Sequence, residues 1–166
     1  ASSVTISGSD ISGNSAADGG GIYTKAAATI SNTTIGKSGT NNGNTATTNG
    51  GGIYCDTNVT ITLSGSTSVG YNTATTDNGG GVYIYGGGTF TMKNVTVRDN
   101  TANTAEVNSR ACGGGIFCST GTLTIRGGTI SGNEIKGTRN TDGGGIYLSS
   151  SATAEITDVT ISGNTA

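Results

Sequence analysis

The sequence predicts an all-β chain, a right-handed parallel β-helix (solenoid) of about five to six coils of roughly 30 residues, with three short strands per coil. Three observations predict it. The string GGG, then Ile or Val, then an aromatic residue occurs at Gly19–Tyr23, Gly50–Tyr54, Gly79–Tyr83, Gly113–Phe117 and Gly143–Tyr147, at intervals of 31, 29, 34 and 30 residues. An Asn recurs in step with it, at Asn14, Asn44, Asn72, Asn100, Asn133 and Asn164. Between each Asn and the next GGG the length varies, shortest at Asn14–Asp18 and longest at Asn100–Cys112. Variation confined to one place predicts a protruding loop on an otherwise fixed unit.

The first strand of each unit is G-I-Y-x, as in Gly145–Leu148, the second T-L-T-I, as in Thr122–Ile125, and the third T-I-S, as in Thr129–Ser131. Alternate residues of a strand face opposite sides, so each strand sends one or two side chains inward. Aligning the units gives five apolar columns. Ile22, Ile53, Val82, Ile116 and Ile146 form one, and Thr24, Cys55, Ile84, Cys118 and Leu148 the next. The second strand supplies Val4, Ala28, Ile61, Phe90, Leu123 and Ala154, together with Ile6, Ile30, Leu63, Met92, Ile125 and Ile156. The third supplies Ile11, Ile35, Val69, Val97, Ile130 and Ile161. Helical repeats are excluded because they are built from Ala, Leu, Glu and Lys, not from Thr, Gly, Val and Ile. A right-handed winding is expected of parallel strands joined by crossovers.

Composition narrows the function. There are 31 Gly, no Pro and no His, 11% of residues are charged, and the net charge is −2. Regular apolar spacing with low net charge argues against disorder. No basic stripe is present to bind nucleic acid, and no apolar run approaches the roughly 18 residues of a membrane span. The chain reads as one β-helix domain, 1–166, without evident caps. It begins in mid-coil and stops where another GGG is due, so neighbouring coils or other subunits are expected at both ends.

The pattern GGGIY–x–TLTI–x–TISGN–TA, clearest in Gly113–Asn133 and Gly143–Ala166, resembles the repeats of bacterial polymorphic outer-membrane proteins and related pectin-lyase-like surface solenoids. The resemblance spans essentially the whole chain. It implies a secreted or cell-surface β-helix, often adhesive.

No catalytic residue, metal ligand or cofactor is expected. The GGG tracts lack the GxxxxGK[ST] or GxGxxG context of a phosphate cradle and read as corners. The Asn series reads as a structural column of bonded amides. Pectin-lyase-like enzymes cluster carboxylates, whereas here Asp10, Asp18, Asp56, Asp77, Asp99, Glu106, Glu134, Asp142, Glu155 and Asp158 are scattered. At the position before GGG the residues are Asp18, Asn49, Asn78, Cys112 and Asp142, so no two carboxylates stack there and no acid–base pair forms. Cys55 and Cys118 face inward, two coils apart, too far for a disulfide. Cys112 replaces an Asp or Asn at a corner and reads as an exposed thiol, either the candidate for linking subunits or a solitary free thiol.

Two outward features are candidate sites. Thr5, Thr29, Thr62, Thr91 and Thr124 form one row, broken at Glu155, with Thr60, Thr89 and Thr122 beside it. Such rows resemble the ice-binding faces of β-solenoid antifreeze proteins and could equally face a glycan; the plain reading is that Thr suits a solvated strand. Asn32, Asn58 and Asn94 open N-x-T triplets, which are glycosylation sequons. The expectation is a non-enzymatic, extracellular or cell-surface structural or adhesive solenoid. It is either a segment of a longer surface protein or a subunit that self-associates end to end.

Overall fold

The computed structural model describes residues 2–104, 110–137 and 141–166; Glu106 lies outside them. Among these residues the strands form three sheets, of 13, 5 and 2 strands. Every pairing is parallel and joins one coil to the next, as in Ile22↔Ile53, Val82↔Ile53 and Val82↔Ile116. The five apolar columns stand in the expected register throughout. Ile30, Ile35, Ile53, Ile61, Leu63, Ile84, Phe90, Met92, Ile116, Leu123, Ile125 and Ile130 are fully buried along the axis. The core is a column because each coil buries its apolar side chains only against the coils above and below.

A further short strand lies in the segment read as a protruding loop. Ser15–Ala16, Thr45–Ala46, Thr73–Ala74, Thr101–Asn103 and Glu134–Lys136 pair in parallel as their own sheet. Ala46, Ala74 and Ala102 are fully buried in it and Ile135 nearly so. Its strands are two or three residues long, too short for alternation to mark them in the sequence. The long insertion after Asn100 also returns to the solenoid, where Ala111–Cys112 pairs with Thr141–Asp142.

The narrow side of the coil is built from the two sequence markers together. The first Gly of each tract, Gly19, Gly50, Gly79, Gly113 and Gly143, has φ of 61, 65, 67, 68 and 71°, a left-handed conformation that costs glycine least. The third Gly faces the Asn column. A Cβ at Gly21, Gly52 or Gly81 would stand 2.9 Å from Nδ2 of Asn44, Asn72 or Asn100. Glycine there makes room for the amide.

The amides form a polarised chain. Asn44 Oδ1 accepts from the Asn14 backbone N–H at 3.1 Å and from Asn14 Nδ2 at 2.9 Å, while Asn44 Nδ2 donates to Asn72 Oδ1 at 2.9 Å. The same pattern runs from Asn72 to Asn100, Asn133 and Asn164. The remaining Nδ2 proton goes to a third-strand carbonyl: Ile11, Ile35, Val69, Val97 or Ile130. Asn44, Asn72, Asn100 and Asn133 are fully buried with every amide atom bonded. The expected column of bonded amides is thus present and structural.

Replacing Asn100 by Ala removes a buried amide that accepts from Asn72 twice and donates to Val69 and Asn133. Each buried group left unpaired costs about 1–3 kcal/mol, so the melting temperature should fall by many degrees. Asn14→Ala, at an exposed rung, should cost far less. Equal melting temperatures for the two variants, measured by circular dichroism, would contradict this role for the column.

Candidate functional site

The outer surface carries what the core does not consume, and it has two distinct faces. On the face of the second strand, Thr5↔Thr29↔Thr62↔Thr91↔Thr124 are paired rung by rung, ending at Glu155. Thr60↔Thr89↔Thr122↔Thr153 run beside them. The sequence-derived rows are therefore real neighbours. Thr5, Thr29, Thr60 and Thr122 are exposed, and Thr62, Thr89, Thr91 and Thr124 half-buried. On the other flank Lys93 pairs with Arg126, and Arg126 Nη2 donates to Glu155 at 3.1 and 3.3 Å. The Thr face is thus bordered by charge at one corner.

The three sequon asparagines are exposed, Asn32 at a bend, Asn58 at a turn and Asn94 within the strand Gly88–Arg98, with φ of 49, 56 and 54°. Asn is the non-glycine residue best suited to that conformation. Up one corner the residues alternate as Gly8, Asn32, Gly65, Asn94, Gly127 and Asp158, all at positive φ. A Cβ at Gly65 would meet Asn32 Oδ1 at 2.3 Å, and one at Gly127 would meet Asn94 Oδ1 at 2.2 Å. Asn32 Oδ1 also accepts from the Ser66 N–H at 3.1 Å. In all three triplets a positive-φ Asn is followed two residues on by a strand Thr: Thr34, Thr60 or Thr96.

The second face was not foreseen. The aromatic residue after each GGG-Ile/Val points outward, and the five rings stack: Tyr23–Tyr54 at 5.0 Å, Tyr54–Tyr83 at 5.1 Å, Tyr83–Phe117 at 4.9 Å and Phe117–Tyr147 at 5.2 Å between centroids. Interplanar angles are 10, 15, 3 and 9°. The coil spacing forces this near-parallel offset stack, worth about 0.5–1.5 kcal/mol per pair beyond burial. The signal was in the sequence, since the aromatic is part of every GGG unit. Tyr85, exposed two residues beyond Tyr83, leans on the stack at 6.3 Å. Tyr23 Oη donates to Asp56, which holds the Asp56 carboxyl below its usual range. Burial is the main cause that raises the Tyr54 phenol and pushes Tyr83 up to about 12.

Cys112 lies under this stack, only 2% exposed, clustered with Tyr83 and Phe117. The expectation of an exposed corner thiol is corrected: its backbone N–H donates to Asn78 Oδ1 at 2.8 Å, which seats the residue in the wall. Cys55 and Cys118 are buried in the core as expected.

Beside Phe117 a groove of about 310 Å³ opens, lined by Asp77, Asn78, Arg110, Phe117, Tyr147 and Ser149, with Cys112 at its base. Arg110 donates from Nε and Nη2 to Asp142 and from Nη2 to Tyr147 Oη, its guanidinium 5.4 Å from the Tyr147 ring centroid. Burial, with a smaller contribution from Asp18, raises the Asp77 carboxyl, while a hydrogen bond from Asn78 opposes the rise. No group of three or more His, Cys, Asp or Glu able to hold a metal occurs among the described residues.

Residues 8–25 and 42–56 match the family model of the Chlamydia polymorphic membrane protein (Chlamydia_PMP) repeat. The match and the solenoid fit a polymorphic outer-membrane-type β-helix repeat protein. Each matched segment carries a GGG tract and its aromatic, and between them they supply Asn14 and Asn44 of the amide column. No curated protein and no solved structure gives a match to the chain. The repeat family suggests an outer-membrane or surface protein; no helix is long and apolar enough to cross a membrane.

Burial pushes the Cys55 thiol up to about 12 and raises Cys112 and Cys118 as well. The reactive thiolate is therefore suppressed at all three. Ellman's reagent at mildly alkaline pH should label none of them in the folded protein and all three in guanidinium. Rapid labelling of Cys112 in the native state would overturn its placement.

Proposed function

We propose that the chain is a non-enzymatic, surface-exposed segment of an adhesive β-solenoid. The observation that carries this reading is the match of the polymorphic membrane protein repeat to the part of the coil where the Asn and GGG columns meet. It is supported by how the side chains are used. Inward positions go to the core, the buried amides bond one another, and the GGG tracts serve as corners. The carboxylates of the column before GGG stand only at Asp18 and Asp142, its first and last rungs, and histidine is absent. A general acid–base pair needs two such groups close together. What is left for recognition is a long, repetitive, weakly charged outer surface, suited to contact with another surface rather than to enclosing a substrate.

Particles coated with the folded protein should be retained on cultured epithelial cells several-fold more than particles coated with a heat-unfolded sample. Equal retention would sink the adhesive reading, and turnover of a polysaccharide would sink the non-enzymatic one.

The coils also lend themselves to axial stacking. Val4, Ile156 and Ile161 are 43, 38 and 50% exposed at the two ends of the columns, and coils of the same kind, in one chain or between chains, would cover them. Stacking of this head-to-tail type propagates as a filament when it does not close. The mass measured by light scattering should rise with concentration and return to that of a monomer in Ile161→Asp. A concentration-independent monomer mass for the unmodified chain would count against axial contact.

A further inference from the structure

The groove beside Phe117 has a chemistry of its own. In the stack from Tyr54 to Tyr147 Phe117 is the one ring without a hydroxyl, so the space a phenol oxygen would occupy is open at that rung. Because neighbouring rings lie only 4.9 and 5.2 Å apart, their faces are taken and only their edges meet the groove. Aromatic edges carry partial positive charge and favour oxygen lone pairs. One wall presents the half-buried Asp77 carboxylate, whose hydrogen bond within the fold comes from Asn78 and which has no ion-pair partner among the described residues. The other presents Arg110. Its Nε and Nη2 are engaged, and Nη1 is left as a donor. Ser149 donates its proton to the Ser119 carbonyl, so its oxygen can only accept. Acceptors and donors thus face each other across an apolar base, which suits a ligand whose groups both donate and accept, as vicinal hydroxyls do.

Charge decides among hydroxylated ligands. Asp77 and Asp142 contribute two negative charges and Arg110 one positive, which leaves the groove negative by one. An acid-bearing sugar is disfavoured there and an ammonium favoured. We infer that the groove is a saccharide subsite for a neutral or amino-substituted pyranose, with Asp77 taking the hydroxyl or ammonium protons and Arg110 donating to a ring or hydroxyl oxygen. This deepens the adhesive reading, which it rests on, by naming the class of surface ligand.

The test is a titration of the isotopically labelled full chain with glucosamine, methyl β-glucoside and glucuronate, followed by amide shifts. Glucosamine should shift Asn78, Phe117 and Tyr147 and bind on the order of fivefold tighter than the glucoside, the worth of one charge contact near 4 Å in water. Glucuronate should bind weakest. Asp77→Asn should erase the preference for glucosamine, and Phe117→Tyr, which returns a hydroxyl to the gap, should weaken all three sugars. Unchanged melting temperatures would show that both variants fold. Shifts confined to other residues, glucuronate binding as well as glucosamine, or an unaltered preference in Asp77→Asn would overturn the subsite. If coated particles still adhere when these sugars give no shifts, the subsite fails and the adhesive reading stands. If the sugars bind as expected but particles do not adhere, the adhesive reading fails alone.

Discussion

The contact between a glycine with no Cβ and an asparagine amide fixes the rest of this structure. The third Gly of each tract leaves a gap that Asn44, Asn72, Asn100, Asn133 and Asn164 fill, and the amides then bond from coil to coil. Neither marker works without the other. An alanine in the tract would push the amide out of line, and an apolar residue in place of Asn would take an acceptor from the Asn N–H of the preceding coil and a donor from the amide oxygen of the following one. An unpaired buried polar group is costly, so the coils hold one register. With that register set on the narrow side, the apolar columns on the broad sides and the aromatic stack outside follow from the same spacing.

The columns were legible in the sequence because they repeat with large aliphatic side chains at a fixed phase. Ile22 to Ile146 and Ile11 to Ile161 could be aligned by eye and stand where the alignment put them. The Thr-Ala strands were not legible. Ala46, Ala74 and Ala102 are small, their strands are two or three residues long, and the variable spacing beside them looked like loop. Cys112 was misread for a related reason: its column holds Asp and Asn in other coils, and only the stacking of the coils shows that its side chain packs with Tyr83 and Phe117. The aromatic stack was visible as a sequence pattern, but its meaning needed the coil spacing, which happens to equal a comfortable distance between rings.

The candidate surfaces separate in the same way. The Thr rows were read correctly as rows, since they alternate with core residues whose phase was secure. The sequon asparagines share a left-handed conformation, and the alternation of Asn32 and Asn94 with Gly up one corner reflects side chains borrowing the space of the next coil. The groove at Phe117 could not be found from sequence. It is assembled from Asp77 and Arg110, which precede different GGG tracts, beside the one ring of the stack that lacks a hydroxyl.

The amide column has a direction, and that direction shapes how such a chain can change. Every rung offers an oxygen to the coil before it and a nitrogen to the coil after it, so each unit presents the same pair of sockets. A whole coil can be duplicated, deleted or exchanged by recombination within the gene, and the new neighbours will still meet donor to acceptor and Ile to Ile. A fragment cut at any other period would leave a rung of the column without its amide or shift an aliphatic residue to the outside. The architecture therefore lets length and outer decoration vary freely among descendants while holding the unit of variation to one full turn.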